Sequence, residues 1–500
     1  MIYNFNLGIG WASSGVEYAQ AYRANIFRKI GVEAKFVFTD MFPTENIEHM
    51  TANIGFEDNE IIWLYTYFTD VKIAPVSFTL SDLANTFGKG EYTFERKGKI
   101  ARYTFDASKG DFCTAFLVDE NSERVHRVEF VKGGYLIRKD FYTYCRTYTE
   151  FYAPFEGKAQ LYQRRFYNEN GTVAYEEVND KENVLYKFPD KVIYSKEEFV
   201  AHFVRCLKLT ESDIVIVDRT TGIGQAVFQN ASAAKLGVVI HADHFSEGAT
   251  DDNNVLWNNF YEYPFGLSKI IDFFVSSTDA QSILLREQFE KYVGVKPNVV
   301  TIPVGSIDEL KYPTEPRKKH SMITASRLAS EKHVDWLVSA TVKARKVIPD
   351  ITLDIYGRGA EDEKIKKLIE KNRASEYIKM CGHKNLEEIY KQYDAYLSGS
   401  TSEGFGLSLL EAIGSGLPII GFDVRYGNQT FIEDGKNGYK IPISEEMESA
   451  ERIEKLSKYI IKLFTEDDPE EYHNSSYKMA ERFLTTEVIK GWKELIAKLI

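Results

Sequence analysis

Two carboxylates, Glu403 and Glu411, stand eight residues apart in Ser402-Glu403-Gly404-Phe405-Gly406-Leu407-Ser408-Leu409-Leu410-Glu411-Ala412. A strand-like run at 394–397 and a loop of small residues at 398–402 precede them. Gly404 and Gly406 leave backbone N–H groups unobstructed where a helix should begin, and a helix N-terminus offers unsatisfied donors and a dipole suited to anions. With about 3.6 residues per turn, the spacing predicts Glu403 in a loop facing a ligand and Glu411 two turns along the helix on the same side. Acids so placed can accept hydrogen bonds from hydroxyls at opposite ends of a long, polyhydroxylated ligand. A glycine-led helix carrying two solvated acids has the same spacing, so the other loops must decide.

Those loops fall at the C-terminal ends of expected strands, where open α/β sheets bind ligands. Arg327 and Lys332 lie in Ser326-Arg327-Leu328-Ala329-Ser330-Glu331-Lys332, a planar fork of donors and a mobile point charge that suit a diphosphate. Near the N-terminus, Gly8-Ile9-Gly10-Trp11-Ala12-Ser13-Ser14-Gly15-Val16-Glu17-Tyr18 can present N–H groups to a phosphate, or simply turn tightly from strand to helix. Its glycines do not form a dinucleotide fingerprint. His241 and His244 end another strand; their spacing is loosely that of metal ligands, but no third ligand clusters with them. A histidine there is suited to a sugar or phosphate, or to a structural hydrogen bond. Backbone groups beside Gly382 and His383 could hold a flat base.

The elements that must carry these loops follow from periodicity. Strands are expected at 2–7, 35–39 and 60–67, with a helix at 16–30 between the first two, as in a parallel α/β sheet. From 92 to 194 the pattern changes to two-residue alternation rich in Tyr, Phe and Val, with a hairpin turn at Asn168-Glu169-Asn170-Gly171. Strands resume at 214–218, 237–241, 273–277 and 299–303. A polar, proline-bearing linker follows at 311–320, then strands at 321–325, 352–356, 377–380, 395–397 and 418–421. The expected organisation is α/β: a first Rossmann-like domain (1–75 and 196–310) interrupted by an antiparallel insertion (76–195), a second such domain (311–485), and a C-terminal helix (486–500). Val488, Trp492, Leu495 and Leu499 share one face of that helix and should dock it on the protein's own core.

The chain has 500 residues, 44% of them hydrophobic, and a net charge of −12, which excludes extended disorder and disfavours nucleic acid as a partner. No apolar run reaches the ~20 residues of a membrane span. The N-terminus lacks the pattern of a signal peptide, and four scattered cysteines suit reduced thiols in a cytosol.

Taken in order, the Glu403…Glu411 pair, Arg327 with Lys332, the loop at Gly15 and His241 resemble the retaining glycosyltransferases of family 4, which have the GT-B fold. The segments GIGWASSGVEYAQAYR, TASRLASEKHVDWLV and STSEGFGLSLLEAIGSGLPIIGFDVRYGNQTFIEDGKNGY, with the β insertion, narrow the resemblance to the A-subunit family of accessory-Sec glycosyltransferases. Those enzymes transfer N-acetylglucosamine (GlcNAc) from UDP-GlcNAc to Ser and Thr of serine-rich repeat adhesins, alongside a related, non-catalytic B subunit. The resemblance implies that Gly15, Val16, Glu17 and Tyr18 lie against the diphosphate and that Arg327 and Lys332 neutralise it. It further implies that His383 and Lys384 border the uracil and Glu411 takes the ribose. His241 and the loop Glu403, Gly404, Phe405 and Gly406 would hold the GlcNAc. Glu403, Arg327, Lys332 and His241 would then be the catalytic set, with no metal, no cofactor beyond the donor substrate, and no protein nucleophile. The implied location is cytoplasmic, with peripheral membrane association through the complex left open. Two alternatives remain: a transferase acting on a small lipid or sugar acceptor, and a non-catalytic chaperone-like subunit, which the retained Glu403, Glu411, Arg327 and Lys332 argue against.

Overall fold

The computed structural model describes residues 1–9, 15–88, 90–180, 183–444 and 446–500. The chain forms two compact units, Met1–Gly237 and Val238–Ile500.

In the first unit, strands Ile214–Val217, Ile2–Asn6, Ala34–Phe38 and Ile61–Trp63 lie side by side in that order, all parallel. These strands are largely buried, as strands covered on both faces must be, with Asn4 and Asn6 sealed in beside the apolar residues. The strand expected at 60–67 ends at Trp63, and Leu64–Tyr67 turns into a short helix. A brief apolar run fits either conformation, and packing decides: Tyr65 stacks on Phe166, with ring centroids 5.6 Å apart.

The insertion is a ten-stranded antiparallel meander running in chain order from Thr93–Lys97 to Val192–Ile193. Two-residue alternation places Ala101, Tyr103, Cys113, Ala115 and Val128 in one buried cluster, which the helix Leu80–Thr86 covers with Leu80 and Leu83. At the other end of the meander an aromatic pile (Phe166 on Tyr175 at 4.5 Å, Tyr175 on Phe188 at 4.8 Å) meets Phe199 of the helix Lys196–Cys206. Between the two clusters, Arg164 is held by Glu150 and Glu177, each carboxylate about 2–3% exposed.

In the second unit, strands Phe273–Ser276 and Val299–Thr301 pair in parallel. A six-stranded parallel sheet follows, whose spatial order is Ile378–Gly382, Thr352–Tyr356, Ser321–Ala325, Ala395–Ser398, Ile419–Phe422, Gly438–Ile441. Numbered along the chain this is 3-2-1-4-5-6, the doubly wound order. The last strand is too short and too polar to stand out in the sequence. Residues 311–320 are firmly held, because Arg317 donates to the carbonyls of Lys391, Tyr393 and Ser415 and to Tyr477. The C-terminal helix, Thr485–Leu499, buries Val488, Trp492 and Leu495 and is tied at its start by Thr485 to Ile307 and Asp308.

The Arg164 cluster gives a test of the insertion's core. Arg164→Met leaves two buried carboxylates without their cation, and urea unfolding of the variant should show a loss of about 3–5 kcal/mol. A loss below about 1 kcal/mol would mean that the pair is effectively solvated.

Candidate functional site

Strand order reverses between Ser321–Ala325 and Ala395–Ser398, and the loops leaving those two strands form the crevice where doubly wound sheets take ligands. The first loop is fixed by its backbone: Ser326 N donates to Tyr356 O at 3.1 Å and Leu328 N to Arg358 O at 3.0 Å. Gly357 has φ +127° and a Cβ there would lie 1.9 Å from Ser326 O, so only glycine allows this approach. The turn Ser330–Lys332 then brings out two cations. Arg327 is 72% exposed, with its Nη2 2.8 Å from Glu331. Lys332 is only 17% exposed, and its Nζ lies 2.6 Å from Oε2 of Glu403, itself 18% exposed.

Glu403 is held from several sides. Its N–H donates to Arg425 O (3.0 Å), its carbonyl accepts from Tyr426 N (2.6 Å) and Gly427 N (2.8 Å), and Ser400 Oγ lies 3.4 Å from its carboxylate. A Cβ on Gly404 would sit 2.6 Å from His241 O, so the Glu403 loop can press on the 241–244 loop only without a side chain there. His241 follows the strand Lys235–Ile240, and its N–H and that of Ala242 both donate to the Tyr261 hydroxyl at 2.9 and 3.0 Å. Lys332, Glu403, Gly404 and His241 therefore meet. The resemblance assigns Lys332 to the diphosphate and Glu403 to the sugar; in the structure the two are ion-paired.

Three other expectations change. Glu403 stands in a loop as expected, but the helix is only Leu407–Gly414, with Gly406 at φ +84°, so Glu411 lies about one turn in rather than two. Phe405 turns into the core against Phe431 and Phe483, leaving only its backbone for a ligand. Glu17 is buried, 3.3 Å from Arg219 and 3.4 Å from Asn6, and belongs to an internal network with Gln20, Arg23 and Asp218. A carboxylate consumed in this way does not confront a diphosphate.

Glu411 is half-buried, and that burial pushes its carboxyl up to about 7 against a lowering hydrogen bond from Tyr390. Tyr396 lies under the influence of both acids: burial first, then Glu403 and Glu411, hold its phenol at about 12. His383 and Lys384 are exposed beyond the strand Ile378–Gly382, with Lys384 Nζ 5.9 Å from the Tyr356 ring. Gly15, Val16 and Tyr18 occupy the first turn of the helix Gly15–Ile30, in the first unit; Tyr18 is 39% exposed. The part of the N-terminal loop at 10–14 lies outside the described residues. His244 is buried and bonded to Gln288 and Tyr426, so it is not paired with His241 in a ligand set. Ser400 and Tyr426 lie inside a segment quoted for the resemblance without being singled out there, and Tyr390 and Tyr396 sit in stretches with no motif of their own.

Residues 93–190 match the GtfA extended beta-sheet domain, and residues 307–463 match glycosyl transferases group 1. The chain is 53% identical over 500 residues to the UDP-N-acetylglucosamine–peptide N-acetylglucosaminyltransferase GtfA subunit of Streptococcus gordonii, covering 100% of this chain and 98% of that protein. The chain belongs to the GtfA subunit family. It is similar to the crystal structure of the pneumococcal O-GlcNAc transferase GtfA in complex with UDP and GlcNAc, at 52% identity and a TM-score of 0.95, over 100% of this chain and 98% of that one. It matches a chain of the GtfA/B complex structure equally, at 52% and 0.95, over 100% and 99%. The fold is GT-B, with parallel α/β sheets and the antiparallel sheet in the N-terminal region.

In a GtfA-family chain with Glu411 raised to about 7, stability depends on pH with a definite sign. The folded state holds a proton on Glu411 that the unfolded chain releases near 4.5, the ordinary glutamate value. The stabilisation is thus complete below 4.5 and is lost as pH rises through about 7. Glu411→Gln stays neutral throughout. Thermal unfolding of the ligand-free protein should show the variant gaining on the wild type from pH 5 to 7, then levelling, by on the order of 2–3 kcal/mol. A gap independent of pH would place the Glu411 carboxyl in solvent.

Proposed function

We propose that this chain is the catalytic subunit of a two-protein UDP-GlcNAc:peptide transferase. It moves GlcNAc, with retention, to Ser and Thr hydroxyls of a serine-rich repeat adhesin before export. What carries the reading is the Lys332–Glu403 pair at 2.6 Å at the strand-order reversal, with Arg327 on the same loop and His241 against Gly404. It is supported by the full-length likeness to GtfA subunits, one of them solved with UDP and GlcNAc.

In this reading Arg327 and Lys332 face the donor diphosphate and stabilise negative charge as UDP leaves, which is where a preorganised cation lowers the barrier most. Lys332 exchanges part of its contact with Glu403 for the phosphate, and Glu403 then accepts from the sugar. His241 and the backbone at Gly404 and Gly406 complete the GlcNAc site. Glu411 takes the ribose hydroxyls, and His383 and Lys384 border the uracil. No residue acts as nucleophile. The acceptor hydroxyl attacks from the face the UDP leaves, and the departing phosphate oxygen takes its proton. Two cations take the place of a metal. The insertion serves the GtfB-type partner and the long acceptor, and the reaction takes place in the cytoplasm.

The test uses the chain with its GtfB-type partner and a Ser/Thr-rich peptide. Arg327→Ala and Lys332→Ala should each slow transfer from UDP-GlcNAc by ~100-fold or more, and wild-type activity should persist in EDTA. A strict need for Mg²⁺ or Mn²⁺ overturns the two-cation account. Transfer to a small sugar or lipid acceptor without the partner, at the rate seen with peptide, favours the small-acceptor reading instead.

A further inference from the structure

The residues on either side of Glu403 all seat on one short loop. Ser402 Oγ donates to Asp243 Oδ2 at 3.3 Å, and Gly404 closes on His241 O. Tyr426, which forms a parallel backbone bridge with Glu403, reaches His244 Nδ1 with its hydroxyl at 3.1 Å. Behind it, His244 Nε2 lies 2.8 Å from Gln288 Oε1, at the end of the helix Asp279–Gln288. An amide oxygen only accepts, so Nε2 carries the imidazole proton and Nδ1 is left to accept from Tyr426. Both rings are sealed in, His244 at 0% and Tyr426 at 1% exposure, and lie nearly parallel.

The geometry points to Tyr426 as a positioning residue for the sugar end of the site, held in place by the His244–Gln288 relay. This rests on the role proposed above for Glu403. Neither Tyr426 nor Gln288 touches substrate. Their effect runs through backbone: Tyr426 N and Gly427 N grip the Glu403 carbonyl, and Arg425 O takes the Glu403 N–H. Burial pushes His244 down to about 4, leaving it neutral, while burial and then the Asp243 carboxylate, which shares the hydroxyl's hydrogen bond with His244 Nδ1, raise the Tyr426 phenol and keep its proton on. A Glu403 carboxylate set this way has two references, Lys332 from its own sheet and the 241–244 loop through Tyr426. Its placement relative to a bound sugar depends on the second.

The experiment compares Tyr426→Phe and Gln288→Met, singly and together, in the complex with the partner subunit, alongside Glu403→Gln. Each relay variant should keep its melting temperature within a few degrees and its affinity for UDP, measured by calorimetry, within twofold. Transfer kcat should fall ~10-fold, the scale of a small misplacement at a reacting centre. The double variant should be no worse than the poorer single one, since both break a single relay. If Glu403→Gln is inactive while both relay variants keep wild-type kcat, the positioning role is wrong. A loss of UDP affinity in step with kcat would overturn it equally. If Glu403→Gln itself transfers normally, the underlying reading of Glu403 fails instead. Should Tyr426→Phe not fold, Gln288→Met alone decides.

Discussion

The ion pair between Lys332 and Glu403 is the contact on which the site's arrangement depends. At 17% and 18% exposure neither partner is fully hydrated, and a half-desolvated pair is worth keeping only where geometry and further hydrogen bonds compensate. Here they do. Glu403 is fixed by three backbone hydrogen bonds to the 425–427 segment, and Lys332 by a turn whose carbonyl at Glu331 takes the Thr401 N–H. The two loops leaving the central strands are thus one body, joined by charge at its outer edge and by backbone beneath. On the function proposed above, a diphosphate entering beside Arg327 would meet a lysine already placed and already partly neutralised. In that reading, binding would redistribute charge between phosphate and carboxylate rather than collect a new cation from solvent.

Much of this was legible in the sequence because it depends on strand ends and on residue types with few substitutes. The Glu403…Glu411 spacing, the Arg327–Lys332 loop and the switch from helical to two-residue periodicity near residue 92 each reflect a local physical need. What was not legible depends on long-range packing. That Phe405 belongs to the core follows from Phe431 and Phe483, which arrive from distant elements. Glu17 is claimed by Asn6 and Arg219, which only the sheet brings near it. The spacing puts Glu403 in a loop, as found, but it counts two helical turns to Glu411, whereas Gly406 at positive φ delays the helix to Leu407. Tyr426 lies within the segment that carries the resemblance, yet a lone aromatic in Asp423-Val424-Arg425-Tyr426-Gly427 reads as ordinary core.

The antiparallel insertion shows the same division of labour at larger scale. Alternation specifies which face of each strand is buried, but not what buries it. One end is closed by the helix Leu80–Thr86 and the other by aromatic rings stacked onto the helix Lys196–Cys206. A meander of ten strands held at both ends in this way is tied to the α/β framework of its own unit, rather than appended to it.

The central claim is that Lys332 and Glu403 act as a coupled pair on the donor. The most direct measurement is a double-mutant cycle of Lys332→Met and Glu403→Gln, read as UDP-GlcNAc affinity by calorimetry. The account predicts that losing Lys332 costs a different amount when Glu403 is already neutral, with a coupling of at least about 1 kcal/mol. Effects that add to within about 0.3–0.5 kcal/mol would mean the two residues serve the donor independently, and would contradict it.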